Sequence, residues 1–119
     1  MTQQNELQRL AERLREFANQ RVWEPFHSPK NLSMALIVEA AELVEHFQWL
    51  TEQESRELDA ETLAQVELEL ADIFIYLVRL ADQLNVDLVP TAYKKIELNE
   101  RKYPVEQVRG KVKLRQEHT

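Results

Sequence analysis

The stretch from Leu68 to Val78, LELADIFIYLV, constrains the fold more than any other part of the chain. Its eleven residues are apolar on nearly every side of a helix and carry two charges, Glu69 and Asp72. A helix of that kind is expected to be buried on most sides. The spacing predicts a helix over about 60–84, with Asp59 as its cap. Three more helical segments flank it. Leu7, Leu10, Ala11, Leu14, Phe17 and Ala18 recur at helical spacing over about 3–20. A second helix is expected over about 29–50, with Ser28 as N-cap and Pro29 in its first position. A fourth starts near Asp87, tolerates Pro90 in its first turn and ends before Pro104. Between the second and third lies TEQESRELDAE, a polar connector with room for a short helical turn. No segment alternates as a strand does, and the chain has one Gly in 119 residues. The expected fold is all-α, a four-helix bundle-like subunit over 1–104, with 105–119 as an extended or frayed C-terminal tail.

The acidic residues divide by their place on these helices. Glu-x-x-Glu spacing alone says little, since Glu54/Glu57 and Glu97/Glu100 repeat it. Glu39, however, lies within the stripe formed by Leu32, Leu36, Leu43 and Leu50, where a surface helix buries its apolar face. Glu42 borders that stripe beside His46 and Trp49. Glu69 shares a face with Val66, Ile73, Tyr76 and Leu80, and Asp72 borders it. An isolated buried carboxylate costs several kcal/mol, and four converging from two packed helices repel one another. A divalent cation answers that repulsion, and an all-oxygen donor set selects a hard ion such as Mg²⁺. Pairing with Arg13, Arg15 or Arg79 is the structural alternative. The second helix has no Lys or Arg after Lys30, and the third has only Arg79. A ferritin-like dimetal site needs two Glu-x-x-His pairs, and the one such triplet, Glu24 to His27, spans Pro25.

The charge balance bears on partners. A net charge of -6 disfavours a nucleic-acid surface, yet eight of the fifteen Lys and Arg lie between Lys94 and Arg115. The plain reading is a solvated basic tail; the functional one is that its near end supplies phosphate-binding cations, with Lys95 and Lys102 on one helix face beside Asn99. With no Cys, thiolate sites and disulfides are excluded. The polar start of the chain and the lack of a long apolar run point to a cytoplasmic protein with no membrane partner.

Glu39-Ala-Ala-Glu42 followed, twenty-six residues later, by Glu69-Leu-Ala-Asp72 resembles the ExxE…ExxD signature of the MazG-like superfamily of all-α nucleoside triphosphate pyrophosphohydrolases. WEPFHSPKNLSMALIVEAAELVEHFQW at 23–49, LELADIFIYLVRLA at 68–81 and KIELNERKYP at 95–104 are most similar to its dCTP pyrophosphatase branch. The resemblance implies Mg²⁺-dependent cleavage of a nucleoside triphosphate, dCTP or a modified dCTP, to the monophosphate and pyrophosphate, with Mn²⁺ as a substitute ion. Glu39, Glu42, Glu69 and Asp72 are then metal ligands, with Glu39 and Glu69 catalytic and Glu69 either ligand or base. Trp23, His27 and Trp49 are expected at the base, and Tyr76, Lys95, Asn99 and Tyr103 at sugar or phosphates. A homo-oligomer, dimer or tetramer, is expected. Trp23 and Trp49 lie at opposite ends of one helix, so a pocket that uses both draws one from each of two chains, or the 23–28 segment folds back along its own helix. Other readings are a pyrophosphohydrolase of dUTP or phosphoribosyl-ATP type, or a helical oligomerisation module without activity.

Overall fold

The computed structural model describes residues 4–111, and every regular element among them is helical. The order is α1 (Glu6–Gln20), a 3₁₀ turn (Glu24–Phe26), α2 (Pro29–Glu45), α3 (Glu52–Arg56), α4 (Ala60–Gln83), α5 (Leu88–Lys102) and α6 (Val105–Val108). The chain divides into two compact units, Met1–Asn85 and Val86–Thr119. In the first, α4 packs against both α2 and α1. Leu32 of α2, Val66, Val78 and Ala81 of α4 and Ala18 of α1 are its buried apolar side chains. The second unit contains α5 and α6.

The helix starts follow local chemistry. Asn5 and Gln8 cap α1 reciprocally, each side chain accepting the other's backbone N–H at 2.8 and 3.0 Å. Ser28 Oγ accepts the Asn31 N–H at 3.2 Å, and Pro29 occupies the first turn of α2 without wasting a donor. Asp59 Oδ1 accepts the Thr62 N–H at 2.7 Å, as expected for the cap of α4.

Three features differ from expectation. The second helix stops at Glu45 rather than near Leu50, and residues 46–49 form turns. The reason lies downstream: Thr51 caps α3, accepting the Glu54 N–H at 3.1 Å while Glu54 accepts that of Thr51 at 2.8 Å. That box needs extended backbone at Thr51, where ψ is 166°, and so draws the chain out of its helix. Val105–Val108 is a helical turn begun at Pro104 rather than extended chain, and 112–119 of the expected tail lie outside the described residues. Finally, α4 is not covered on most sides. Leu70, Phe74 and Leu77 form an exposed i, i+4, i+7 stripe.

Helix α1 ends in a Schellman motif: the Trp23 N–H donates to Ala18 O at 3.0 Å and that of Val22 to Asn19 O at 3.1 Å. The residue at the left-handed position is Val22, with φ 54°. Glycine normally fills this place, and a β-branched side chain there costs on the order of 1–2 kcal/mol. Val22 is 72% exposed, so no packing offsets that cost. Val22→Gly is therefore expected to raise the melting temperature by a few degrees, the relief outweighing the entropy of the added glycine. A scan of circular dichroism at 222 nm checks this, and an unchanged or lower midpoint contradicts it.

Candidate metal centre

Helices α2 and α4 pack along their lengths, and each brings two acids to the contact. Glu39 and Glu42 lie three residues apart on α2, and Glu69 and Asp72 repeat that spacing on α4. Three residues is close to one turn, so both acids of a pair point to the same side. One oxygen each from Glu39, Glu69 and Asp72 lies within 4.8 Å of the others. The Glu42 carboxyl stands close enough to those of Glu39 and Glu69 to raise the pKa of both. Glu39, Glu42 and Glu69 are half-buried, and Asp72 is exposed at the rim.

The electrostatics are those of crowded carboxylates. Burial, then the Glu42 hydrogen bond and charge, then Asp72 and Glu69 hold the Glu39 carboxyl above its ordinary pKa. Burial and Glu42 do the same to Glu69, and His46 partly offsets the effect. His46 Nε2 stands 3.9 Å from Glu69 Oε1, an ion-pair distance rather than a hydrogen bond. Sequence reasoning placed His46 beside Glu42 but gave it no role. Its i+4 offset from Glu42 and i+7 offset from Glu39 were the available signal.

Among the described residues no Lys or Arg pairs with any of the four acids. Two of the three arginines nominated as alternative partners go elsewhere. Arg15 forks onto Asp82 at 2.7 and 3.0 Å, while Arg79 reaches Glu24 at 3.1 Å and Asp82 at 3.5 Å. Glu39 Oε2 and Glu69 Oε2 are buried with no hydrogen-bond partner. Orphaned, buried carboxylate oxygens within reach of one another fit a hard divalent cation, which would satisfy oxygens that no protein donor reaches.

The other nominated residues are more dispersed. Tyr76 follows Asp72 by one turn on α4 and is half-buried. Trp23, at the end of α1, meets the Phe17 ring edge-on at 5.6 Å and the His27 ring at 5.9 Å. His27 Nδ1 is 3.4 Å from Arg79 Nη2. Burial and that guanidinium push the His27 pKa down, which favours a neutral ring beside Arg79. Trp49 is 86% exposed, at the opposite end of α2 from Trp23. Along seventeen residues of α2 that separation is about 25 Å. Lys95, Asn99 and Tyr103 belong to the second unit, on or just after α5. There the Asn99 carbonyl accepts the Tyr103 N–H at 2.8 Å, and Lys102 Nζ lies 5.7 Å from the Tyr103 ring centre.

Comparison with known proteins gives a consistent result. The MazG-like family model matches residues 34–114. dCTP pyrophosphatase 1 of Bos taurus is 44% identical over 97 residues, covering 80% of this chain and 57% of that protein. The Homo sapiens protein of the same name is 43% identical with the same coverage. The chain thus spans 57% of the length of these curated relatives. A crystal structure of a pyrophosphatase from Archaeoglobus fulgidus superposes with a TM-score of 0.81 at 38% identity, over 87% of this chain and 97% of that one.

The raised Glu39 carboxyl has a signed consequence. A folded-state pKa above the unfolded one means that the native state binds more protons, so stability falls as pH climbs from the ordinary Glu value of 4.5 through the raised one. In chelator, Glu39→Gln is therefore expected to melt above the parent, by a margin that widens across that window. Paired thermal melts over a pH series measure it. A margin constant with pH, or a mutant that melts below the parent throughout, contradicts the crowding.

Proposed function

The chain belongs to the MazG-like family, and from that premise we propose that it is a Mg²⁺-dependent nucleoside triphosphate pyrophosphohydrolase acting on dCTP or a modified dCTP. The observation that carries this reading is the convergence of Glu39, Glu69 and Asp72 within 4.8 Å beside two buried, unpartnered carboxylate oxygens. The choice of dCTP follows the names of the relatives above.

Glu39, Glu42 and Asp72 would hold the ion, with Glu69 kept for the attacking water. When bound, a divalent cation supplies positive charge to the phosphate oxygens and to the departing pyrophosphate. In the reaction, water attacks the α phosphorus, and the bond from that phosphorus to the oxygen bridging it to the β phosphorus breaks. The proton of the attacking water goes to a carboxylate, and Glu69 takes that part: it is half-buried and held by Glu42 on one side and His46 on the other. Trp23 and Trp49 stack on the base, His27 bounds the pocket on the Trp23 side, and Tyr76 meets the sugar. Lys95, Asn99 and Tyr103 are carried as groups for the phosphates by the resemblance alone.

The oligomer belongs to the same proposal. Helix α2 carries a second apolar face, with Met34, Ile37, Val38 and Val44 each more than half exposed. A second copy of the chain covers apolar surface of this kind, and it brings a Trp49 to a site whose own Trp49 lies at the far end of α2. Light scattering is expected to give a mass of two or four chains; a monomer at micromolar concentration rejects the shared site.

Pyrophosphate release from a panel of canonical and modified triphosphates tests the activity. dCTP or a modified cytosine is expected to lead the panel, with dependence on Mg²⁺ and partial replacement by Mn²⁺. Glu39→Gln and Asp72→Asn should each lower kcat by about a hundredfold or more, on the scale of losing a group that stabilises transition-state charge, while the helical spectrum is retained. Release that persists in chelator, or near-normal rates in both mutants at saturating Mg²⁺, would sink the metal assignment. A panel led by dUTP or phosphoribosyl-ATP would move the base preference and leave the chemistry standing.

A further inference from the structure

Arg79 is the one charged side chain fully buried among the described residues, with 3% of its surface exposed. Nothing in the proposed chemistry uses it. Its guanidinium joins three segments of the first unit. Nη2 donates to Glu24 Oε1 at 3.1 Å and meets His27 Nδ1 at 3.4 Å, both in the segment before α2. Nη1 donates to Asp82 Oδ2 at 3.5 Å, and Asp82 is held in turn by the fork of Arg15 on α1. The second Glu24 oxygen accepts from Gln83 Nε2 at 3.1 Å. Glu24 is thus gripped twice from α4, and the Gln83 hydrogen bond, with Arg79 adding to it, holds its carboxyl below the ordinary carboxylate range.

The network is ill suited to stability alone. Arg79 Nε is buried with no partner, and an apolar side chain of similar size would fill the same space without desolvating a charge. A fixed guanidinium instead contributes geometry, since its planar donors hold two acceptors at set angles. The held residues, Glu24 and His27, bracket the 3₁₀ turn that directly follows Trp23, and Trp23 packs on the His27 ring. Arg79 also stands seven residues after Asp72, on the same side of α4 and about 10 Å further along its axis. That interval is comparable to the separation between a base and the phosphates of its own nucleotide.

We propose that Arg79 is a positioning residue for nucleoside recognition: through Glu24 and His27 it fixes the Trp23 segment at a set distance along α4 from the carboxylate cluster. This inference rests on the pyrophosphohydrolase reading for its substrate, and on geometry alone for the clamp.

Glu24→Ala severs the clamp at its partly exposed end, where loss of fold is least expected, and Arg79→Lys keeps the charge but removes the fork. Acrylamide quenching of Trp23, read in a Trp49→Phe background without nucleotide or metal, is expected to rise by about half or more in both variants. The Kd for a nonhydrolysable α,β-imido analogue of dCTP, and the KM, are expected to rise about tenfold. The kcat should stay within about threefold, with the Mg²⁺-induced rise in melting temperature preserved. Unchanged quenching and Kd in both variants would overturn the clamp. So would a fall in kcat together with loss of the Mg²⁺ effect, which signals general damage rather than positioning. Absence of hydrolysis in the parent protein would count against the pyrophosphohydrolase reading, while the quenching result, which needs no turnover, still decides whether Arg79 fixes the segment.

Discussion

Two helices that pack through Leu32, Val66 and their neighbours also press four carboxylates into one contact. Apolar burial draws α2 and α4 together, and like charge drives the same faces apart. Protonation would relieve part of that conflict, since burial and the neighbouring acids hold the Glu39 and Glu69 carboxyls above their ordinary pKa. Such relief fades as the acids ionise, so the contact grows less comfortable as pH rises. A bound cation would remove the repulsion without a proton, and its binding energy would then add to the stability of the fold. In the proposed enzyme the same acids that weaken the helix contact prepare the site for its ion.

That arrangement works only if the protein's own cations stay away, and α4 keeps them apart by length. Glu69 and Asp72 lie near its middle, and Arg79, bound to Glu24 and Asp82, lies close to its C-terminal end. Arg15 from α1 closes the same network from outside. Two turns of helix, about 10 Å, separate the two centres. An arginine one or two turns earlier could reach the carboxylates and occupy the place of the ion. Opposite charges on one helix therefore remain in separate clusters, one neutralised internally and one left to be neutralised by a ligand.

How far this could be read from sequence depends on the range of each interaction. Helix starts at Ser28 and Asp59 were legible because a cap acts over three residues, and the nearness of the four acids followed from helical phase. The end of α2 was misjudged because the capping box at Thr51 and Glu54, itself a local pattern, was read as part of a connector and not weighed against the helix before it. The expectation that α4 would be covered on most sides treated hydrophobicity as if it specified burial within one chain. Leu70, Phe74 and Leu77 show that it does not. Arg79 was visible as a lone cation on an apolar helix. Its partner Glu24 lies fifty-five residues away, however, and no periodicity links them.

The second apolar face of α2 carries the same lesson to the level of assembly. A helix that served one core would be polar where Met34, Ile37, Val38 and Val44 stand, because exposed apolar side chains gain nothing from water. Here one face holds Leu32 and Glu39 against α4, and the opposite face is apolar without being buried. The conflict of charges at the first face gives the second a purpose. If a further copy of the chain packs there, α2 is fixed from both sides, and the acids on its inner face are held near one another by contacts that do not depend on them. Under that arrangement the repulsion cannot be relieved by α2 simply moving away. It is left for the ion to resolve, and the assembly would then raise the affinity of the site without adding a ligand to it.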